Sequence, residues 1–272
     1  MFEAFISGAI PQLRNAVRII SSIGNPAFFM ITAAGFSIKP RDQLGLAAEL
    51  RLNRAACDSY LYQPMFLPNN YDFLLIDLTP FGQLLELQAT DQDAVFIVHN
   101  LDLIHQRRWL MVLLLHPSDI TYERYVTLDA IYDQHVPAMM VDETPYMVTA
   151  TIQSLLLRNT VEGLRYTIID GNGHRTDNLR PIWITLTVAV MVIHVHGFDD
   201  VTLQESRDFS IQGAVAFGAI FPLSFDLPNL EAFINAARMS ANVLLHVDYP
   251  NRRPLLNCPF GNGLGNLFFF GN

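Results

Sequence analysis

Residues Phe225 to Tyr249 read FDLPNLEAFINAARMSANVLLHVDY, and Ile76 to Asn100 read IDLTPFGQLLELQATDQDAVFIVHN. Each begins with an extended apolar lead-in, an aspartate and a nearby proline, continues through about three turns of helical spacing, and closes on a β-branched strand. Asp77 answers Asp226, Pro80 answers Pro228, Leu84, Leu85 and Leu87 answer Leu230, Phe233 and Ile234, and VFIVH answers VLLHV. The copies lie about half the chain apart, and a supersecondary unit repeated at that spacing predicts two similar halves.

Outward from these stretches, the first half opens with a strand at Phe2 to Ser7 and a helix at Ile10 to Ile23. Ile10, Leu13, Val17 and Ile20 line one helical face, and the helix stops at Gly24-Asn25-Pro26. Ala27 to Thr32 and Phe36 to Lys39 form a hairpin through Ala33-Ala34-Gly35, and Leu44 to Tyr62 is strand-like with a polar break at Asn53 and Arg54. Strands are expected at Ala94 to Leu101, Trp109 to His116 and Ile120 to Leu128. Residues 129–146, DAIYDQHVPAMMVDETPY, break the pattern with prolines and acids and read as an interdomain connector. The second half starts with a strand at Met147, allows a short helix at Asn159 to Tyr166, and has a turn-rich loop at Asp170 to Asn178. Ile182 to His196 is one long strand or two shorter ones, and strands close the chain at Val243 to Tyr249, Leu255 to Phe260 and Leu264 to Phe270. The expected fold is α+β, with domains at 1–128 and 147–272 and two helices in each.

With 51% hydrophobic and 16% charged residues in 272, the chain can bury the core of one large domain or two smaller ones. The longest apolar runs, Trp109 to Leu115 and Ile182 to Ile193, fall short of the roughly 20 residues a spanning helix needs, so no membrane segment is expected. Cys57 and Cys258 are the only cysteines and make no disulfide framework, which favours a reducing compartment. A net charge of -9 excludes binding of nucleic acid by bulk positive charge, so any such contact must be local. The bases are sixteen arginines and one lysine, Lys39.

Enzyme signatures fail one by one. His194 and His196 share a strand face at a spacing that some metal-dependent β-barrel enzymes use, but Asp199, Asp200, Glu205, His174 and His246 offer no fixed further ligand. Gly261-Asn262-Gly263-Leu264-Gly265 lacks the Lys-Ser/Thr of a phosphate loop and precedes a strand. Neither cysteine has a spaced nucleophile signature. No catalytic residue, metal or cofactor is expected.

The opening MFEAFISGAIPQLRNAVRIISSIG followed by AAGFSIKPRD resembles the first strand, helix and hairpin of the sliding DNA clamps, the family of the proliferating cell nuclear antigen. AVRIISSIG (Ala16 to Gly24), GFSIKPRDQLGLAAELRL (Gly35 to Leu52) and LPNLEAFINAARMSANVLLHVDYPNRRPLL (Leu227 to Leu256) are similar to the Rad-nine-type subunit of the nine-one-one DNA-damage checkpoint clamp. The resemblance implies two clamp domains and a non-enzymatic role in the nucleus. It also implies assembly with two related subunits into a heterotrimer around double-stranded DNA at damage sites, loading by a clamp loader, and recruitment of repair and checkpoint proteins through peptide motifs. Another subunit of that clamp and a homotrimeric replicative clamp fit the same layout.

A sliding ring needs mobile bases facing its hole and no base-specific contacts. Arg14 and Arg18, four apart on the polar face of the first helix, Arg158 and Arg165, flanking the third, and Arg238 on the fourth are the DNA-facing candidates; the same residues also fit solvated amphipathic faces. The first repeat helix offers Gln83, Glu86 and Gln88 and no base. By position, the strands carrying Ile120, Tyr122 and Tyr125 and carrying Val188, Val190, Val192 and His194 are the expected subunit-interface edges. By the same resemblance, Val136, Pro137, Met139, Met140 and Val141 of the connector would cover a groove for partner peptides; the residues equally fit pinning the connector to the body.

Overall fold

The computed structural model describes residues 2–40, 47–64, 71–86, 93–102, 107–115, 121–130, 146–162, 165–169, 175–179, 182–187, 189–195, 200–213, 219–223, 227–248 and 254–270. Within these residues the chain is mixed α+β, with four α-helices and mostly antiparallel sheet. None of the described helices is long and apolar enough to cross a membrane. The chain divides into two compact units: Met1–Gln43, Ala48–Met140 and Phe260–Leu267 in the first, and Leu44–Ala47, Val141–Pro259 and Phe268–Asn272 in the second.

In the first unit β1 (Phe2–Ile6) leads into α1 (Ile10–Ile23), followed by β2 (Ala27–Thr32), β3 (Gly35–Pro40), β4 (Ala47–Asn53) and β5 (Ser59–Tyr62). Then come β6 (Tyr71–Ile76), α2 (Leu78–Glu86), β7 (Asp93–Asp102), β8 (Arg107–Leu115) and β9 (Thr121–Ala130). Strand β2 pairs with β3 and β6, β3 with β4, β1 with β5 and β7, β7 with β8, and β8 with β9. Proline in its first turn and Leu13, Ala16, Val17 and Ile20, all fully buried, account for α1. Gly24 ends the helix by donating its N–H to Ile20 O at 3.3 Å. Phe2 anchors the core edge-on to Phe29, Phe36 and Tyr60, at centroid distances of 6.2, 5.8 and 5.6 Å. Helices α1 and α2 pack together. The residues read as the start of the connector, Asp129 and Ala130, belong instead to β9, where they pair with Leu75 and Leu74 of β6.

In the second unit β10 (Val148–Gln153) leads into α3 (Ser154–Glu162), then β11 (Arg165–Ile169), β12 (Arg175–Leu179), β13 (Ile182–Leu186), β14 (Val190–Val195), β15 (Val201–Gln204), β16 (Phe209–Gly213) and β17 (Ala219–Leu223). Helix α4 (Leu227–Arg238), β18 (Asn242–Val247), β19 (Leu255–Phe260) and β20 (Gly265–Phe270) complete it, although the turn into β20 belongs to the first unit, where Asn53 N–H donates to Leu264 O at 3.4 Å. The neighbours of the first unit recur: β13 pairs with β14 and β17, β14 with β15, β10 with β16 and β18, and β18 with β19. Helices α3 and α4 pack together as α1 and α2 do.

The repeat is therefore one of topology, and it corrects the residue correspondence expected from the sequence. Counted from Asp77 and from Asp226, Phe81 matches Leu230, Leu84 matches Phe233 and Leu85 matches Ile234, and all six are buried. Leu87 lies outside the described residues. Two elements also differ from expectation. The third helix starts at Ser154 rather than Asn159, because Ser154, Leu157 and Val161 turn one helical stripe inward, and residues 175–178, read as loop, form most of β12. That strand exists through its ladder with β11, since RTDNL carries no apolar alternation of its own.

Candidate nucleic-acid interface

The helix pairs hold four of the five candidate arginines. On α1, Arg18 is exposed and Arg14 is half-buried. On α3, Arg158 is likewise half-buried. The Nε of Arg14 and of Arg158 are each buried with no hydrogen-bond partner among the described residues. Set side by side, the two helices share a motif legible in the sequence only once both helix starts are known: Leu13-Arg14-Asn15-Ala16-Val17 against Leu157-Arg158-Asn159-Thr160-Val161. Leu13, Val17, Leu157 and Val161 are all buried, so the helices are anchored alike and the arginines occupy equivalent positions.

Arg238, in the last turn of α4, is exposed, and its guanidinium donates to Asn235 Oδ1 at 3.1 Å and faces Glu162 Oε1 at 3.6 Å. Glu162, Glu231, Ile234, Asn235 and Arg238 line an open cleft of about 500 Å³. Glu162 ends α3, so the ion pair ties the two helices of this unit. The fifth candidate is placed differently: Arg165 does not flank the helix but opens β11, opposite Leu179, because α3 ends earlier than expected.

In the first unit, α2 presents an exposed Gln83 and is held at its start by a side-chain network. Asp77 Oδ1 accepts from Thr79 N–H at 2.9 Å and from Asn25 Nδ2 at 2.7 Å, and Asn25 Oδ1 accepts from Leu78 N–H at 2.8 Å. Asp77 thereby caps α2, and Asn25, just beyond the end of α1, fixes one helix to the other. Gln88 lies outside the described residues. Lys39, the single lysine, stands on β3, where burial pushes its pKa down against the opposing pull of Glu49.

The edges are redistributed. Strand β9, which carries Tyr122 and Tyr125, pairs with β8 along its whole length, while only Leu128–Ala130 meet β6; Ile120 lies outside the described residues. Strand β14, which carries Val190, Val192 and His194, is not an edge: β13 lies on one side and β15 on the other. Of the two readings of Ile182 to His196, the structure has the two shorter strands, β13 and β14, paired antiparallel, with the next strand in the chain on the other side of β14. Among the described pairings β15 meets β14 alone. Val188 and the connector residues Val136, Pro137, Met139, Met140 and Val141 lie outside the described residues.

His194 is engaged at both ring nitrogens, with Asp200 Oδ2 at 2.9 Å from Nδ1 and Thr185 Oγ1 at 2.8 Å from Nε2. A metal ion would have to displace one of these partners, and His196 lies outside the described residues. Among the described residues no three His, Cys, Asp or Glu side chains cluster as metal ligands. Burial, then Asp58, pushes the Cys57 thiol up to about 11, and burial pushes Cys258 up as well, so neither is a thiolate nucleophile at neutral pH.

No protein-family model matches the chain, and no curated protein matches it.

Proposed function

We propose that the chain is a non-enzymatic subunit of a ring-shaped DNA clamp of the nine-one-one type, built from two clamp domains of the proliferating cell nuclear antigen kind. It joins two related subunits around double-stranded DNA at damage sites in the nucleus, is placed there by a clamp loader, and recruits repair and checkpoint proteins through their peptide motifs. The observation that carries this reading is the recurrence of one strand-pairing scheme in both units, each with a packed helix pair and with Arg14 and Arg158 at matching positions. A ring that slides must hold phosphates without reading bases, and arginines at matching points of the two helix pairs suit that task.

The ring closes edge to edge, and the edges that support this are Thr121–Thr127 of β9, which β6 leaves uncovered, and β15, whose pairing with β14 leaves its other side available. These edges come from different positions of the repeat and carry different sequences, TYERYVT and VTLQ, so the chain can meet a neighbour on each side head to tail. Purification of the tagged chain from its native extract is expected to give a complex with two clamp-like chains in equal amounts. A stable homotrimer of the isolated chain in sedimentation velocity would overturn the heterotrimer and favour a replicative clamp, and stoichiometric metal lost in a His194/His196 double variant would favour a metal-dependent enzyme.

A further inference from the structure

The two repeats differ at one connection. In the first unit α1 passes to β2 through Gly24-Asn25-Pro26, whereas the matching passage from α3 to β13 takes residues 163–181 and contains β11 and β12. These two strands form a sheet of their own, in register from Arg165 opposite Leu179 to Ile169 opposite Arg175. A lone two-stranded ribbon adds little stability, and the first unit shows that the repeat closes without one, so the ribbon is not explained by the fold's needs.

Its composition and place suggest what it does. Arginine opens each strand, and Asp177 is the only acid on either. Over residues 163–181 three arginines stand against two aspartates, a local excess of cation in a chain of net charge -9. The ribbon leaves from the end of α3, which carries Arg158, and β12 lies against α4, which carries Arg238. It therefore belongs to the helix layer, which a clamp turns toward DNA. Resting on the clamp reading above, we propose that the β11–β12 ribbon is an added DNA contact, present in one repeat only, in which Arg165 and Arg175 bind phosphates of the duplex backbone. The arginines open opposite ends of a ladder four residue steps long, about 13 Å at ~3.3 Å per residue. That distance corresponds to about four base-pair rises of ~3.4 Å, so the two ladder positions match the phosphate spacing along one stretch of backbone. Guanidinium forks match phosphate geometry and are indifferent to sequence, as sliding requires.

The test uses the assembled ring and a fluorescently labelled duplex, with anisotropy measured from 50 to 200 mM salt. Two variants are compared with the parent: R165Q/R175Q, and a ribbon deletion in which residues 164–180 are replaced by Gly-Asn-Pro. The double substitution is expected to leave assembly intact and to lower the slope of log affinity against log salt by about 2, about 1 for each arginine. The deletion is expected to do the same, and if it fails to fold, the double substitution decides. An unchanged slope and affinity in a ring that holds DNA would overturn the ribbon's role while leaving the clamp reading standing. Loss of a co-purifying protein with unchanged DNA binding would also overturn it, assigning the ribbon to a protein partner. A parent ring that binds no duplex at all would overturn the clamp reading and this inference with it.

Discussion

Glu162 sits where it restrains Arg238, the base that α4 would offer to DNA in the proposed ring. Its Oε1 lies 3.6 Å from Arg238, with the side chains 44% and 55% exposed respectively. Coulomb's law in water gives about 1.2 kcal/mol at this separation. Measured exposed pairs fall near 0.2–1 kcal/mol after side-chain entropy and screening. A phosphate that recruits Arg238 must displace Glu162 and offset that amount, so Glu162→Gln should tighten duplex binding by the assembled ring about 1.4- to 5-fold. If the freed arginine then makes a full phosphate contact, the salt slope should steepen by up to about 0.9. Titrating labelled duplex by anisotropy between 50 and 200 mM salt measures both quantities. The effect must run through Arg238, so Glu162→Gln in an Arg238→Gln background should change little, and the double-mutant cycle isolates the coupling. Equal tightening in both backgrounds would show that Glu162 acts only as a general negative charge, and no tightening in either would remove Arg238 from the interface.

Two further outcomes are expected. Asp77→Ala removes the acceptor that serves both Thr79 N–H and Asn25, and should cost about 1 kcal/mol, read as a lower urea midpoint with an unchanged m-value. His246 lies between Thr149 Oγ1 at 3.0 Å and the Tyr146 ring at 5.4 Å, and burial lowers its pKa. Because the folded pKa is the lower one, the unfolded chain takes up the proton first. This contribution is complete above the unfolded value of about 6.5 and is lost as pH falls below it, so the urea midpoint should drop between pH 7 and 5.5, and less so in His246→Gln.

What was legible in the sequence was whatever one element decides by itself. The span of α1 and the β2–β3 hairpin follow from periodicity and a breaker, and the structure has them at Ile10–Ile23 and at Ala27–Thr32 with Gly35–Pro40. The start of α3 was obscured because Leu155-Leu156-Leu157 continues the apolar character of β10, and only the spacing of Leu157 to Val161 shows the helical period. Edge status was not legible, since it depends on which strand arrives beside another: nothing in VMVIHV distinguishes a strand covered by VTLQ from an open one. The engagement of His194 by Thr185 and Asp200 was hidden for the same reason, being a product of the β13–β14 register and the turn before β15.

The two units keep their strand neighbours while sharing little sequence beyond Leu-Arg-Asn-x-Val, and the reason lies in what each position must do. Strand pairing uses backbone groups, so any alternation of suitable apolar size satisfies it, and the sheets can diverge without losing their topology. The leucine and valine of the motif are held by burial. The arginine is not, because Nε has no hydrogen-bond partner among the described residues, a seat that costs of order 1–3 kcal/mol and that an apolar side chain would avoid. A residue kept in both repeats against the interest of packing is best explained by what its outer end meets. In the proposed ring that is the phosphate backbone, and the duplication then supplies DNA contacts at matching positions of α1 and α3. The second helices and the ribbon make the halves unequal. Helix α2 carries an exposed Gln83 and no base, α4 carries Arg238 under the restraint of Glu162, and β11–β12 has no counterpart in the first unit. On the proposed function, contact with DNA is thus concentrated in the second unit, and Arg14 and Arg18 of α1 carry the first unit's share.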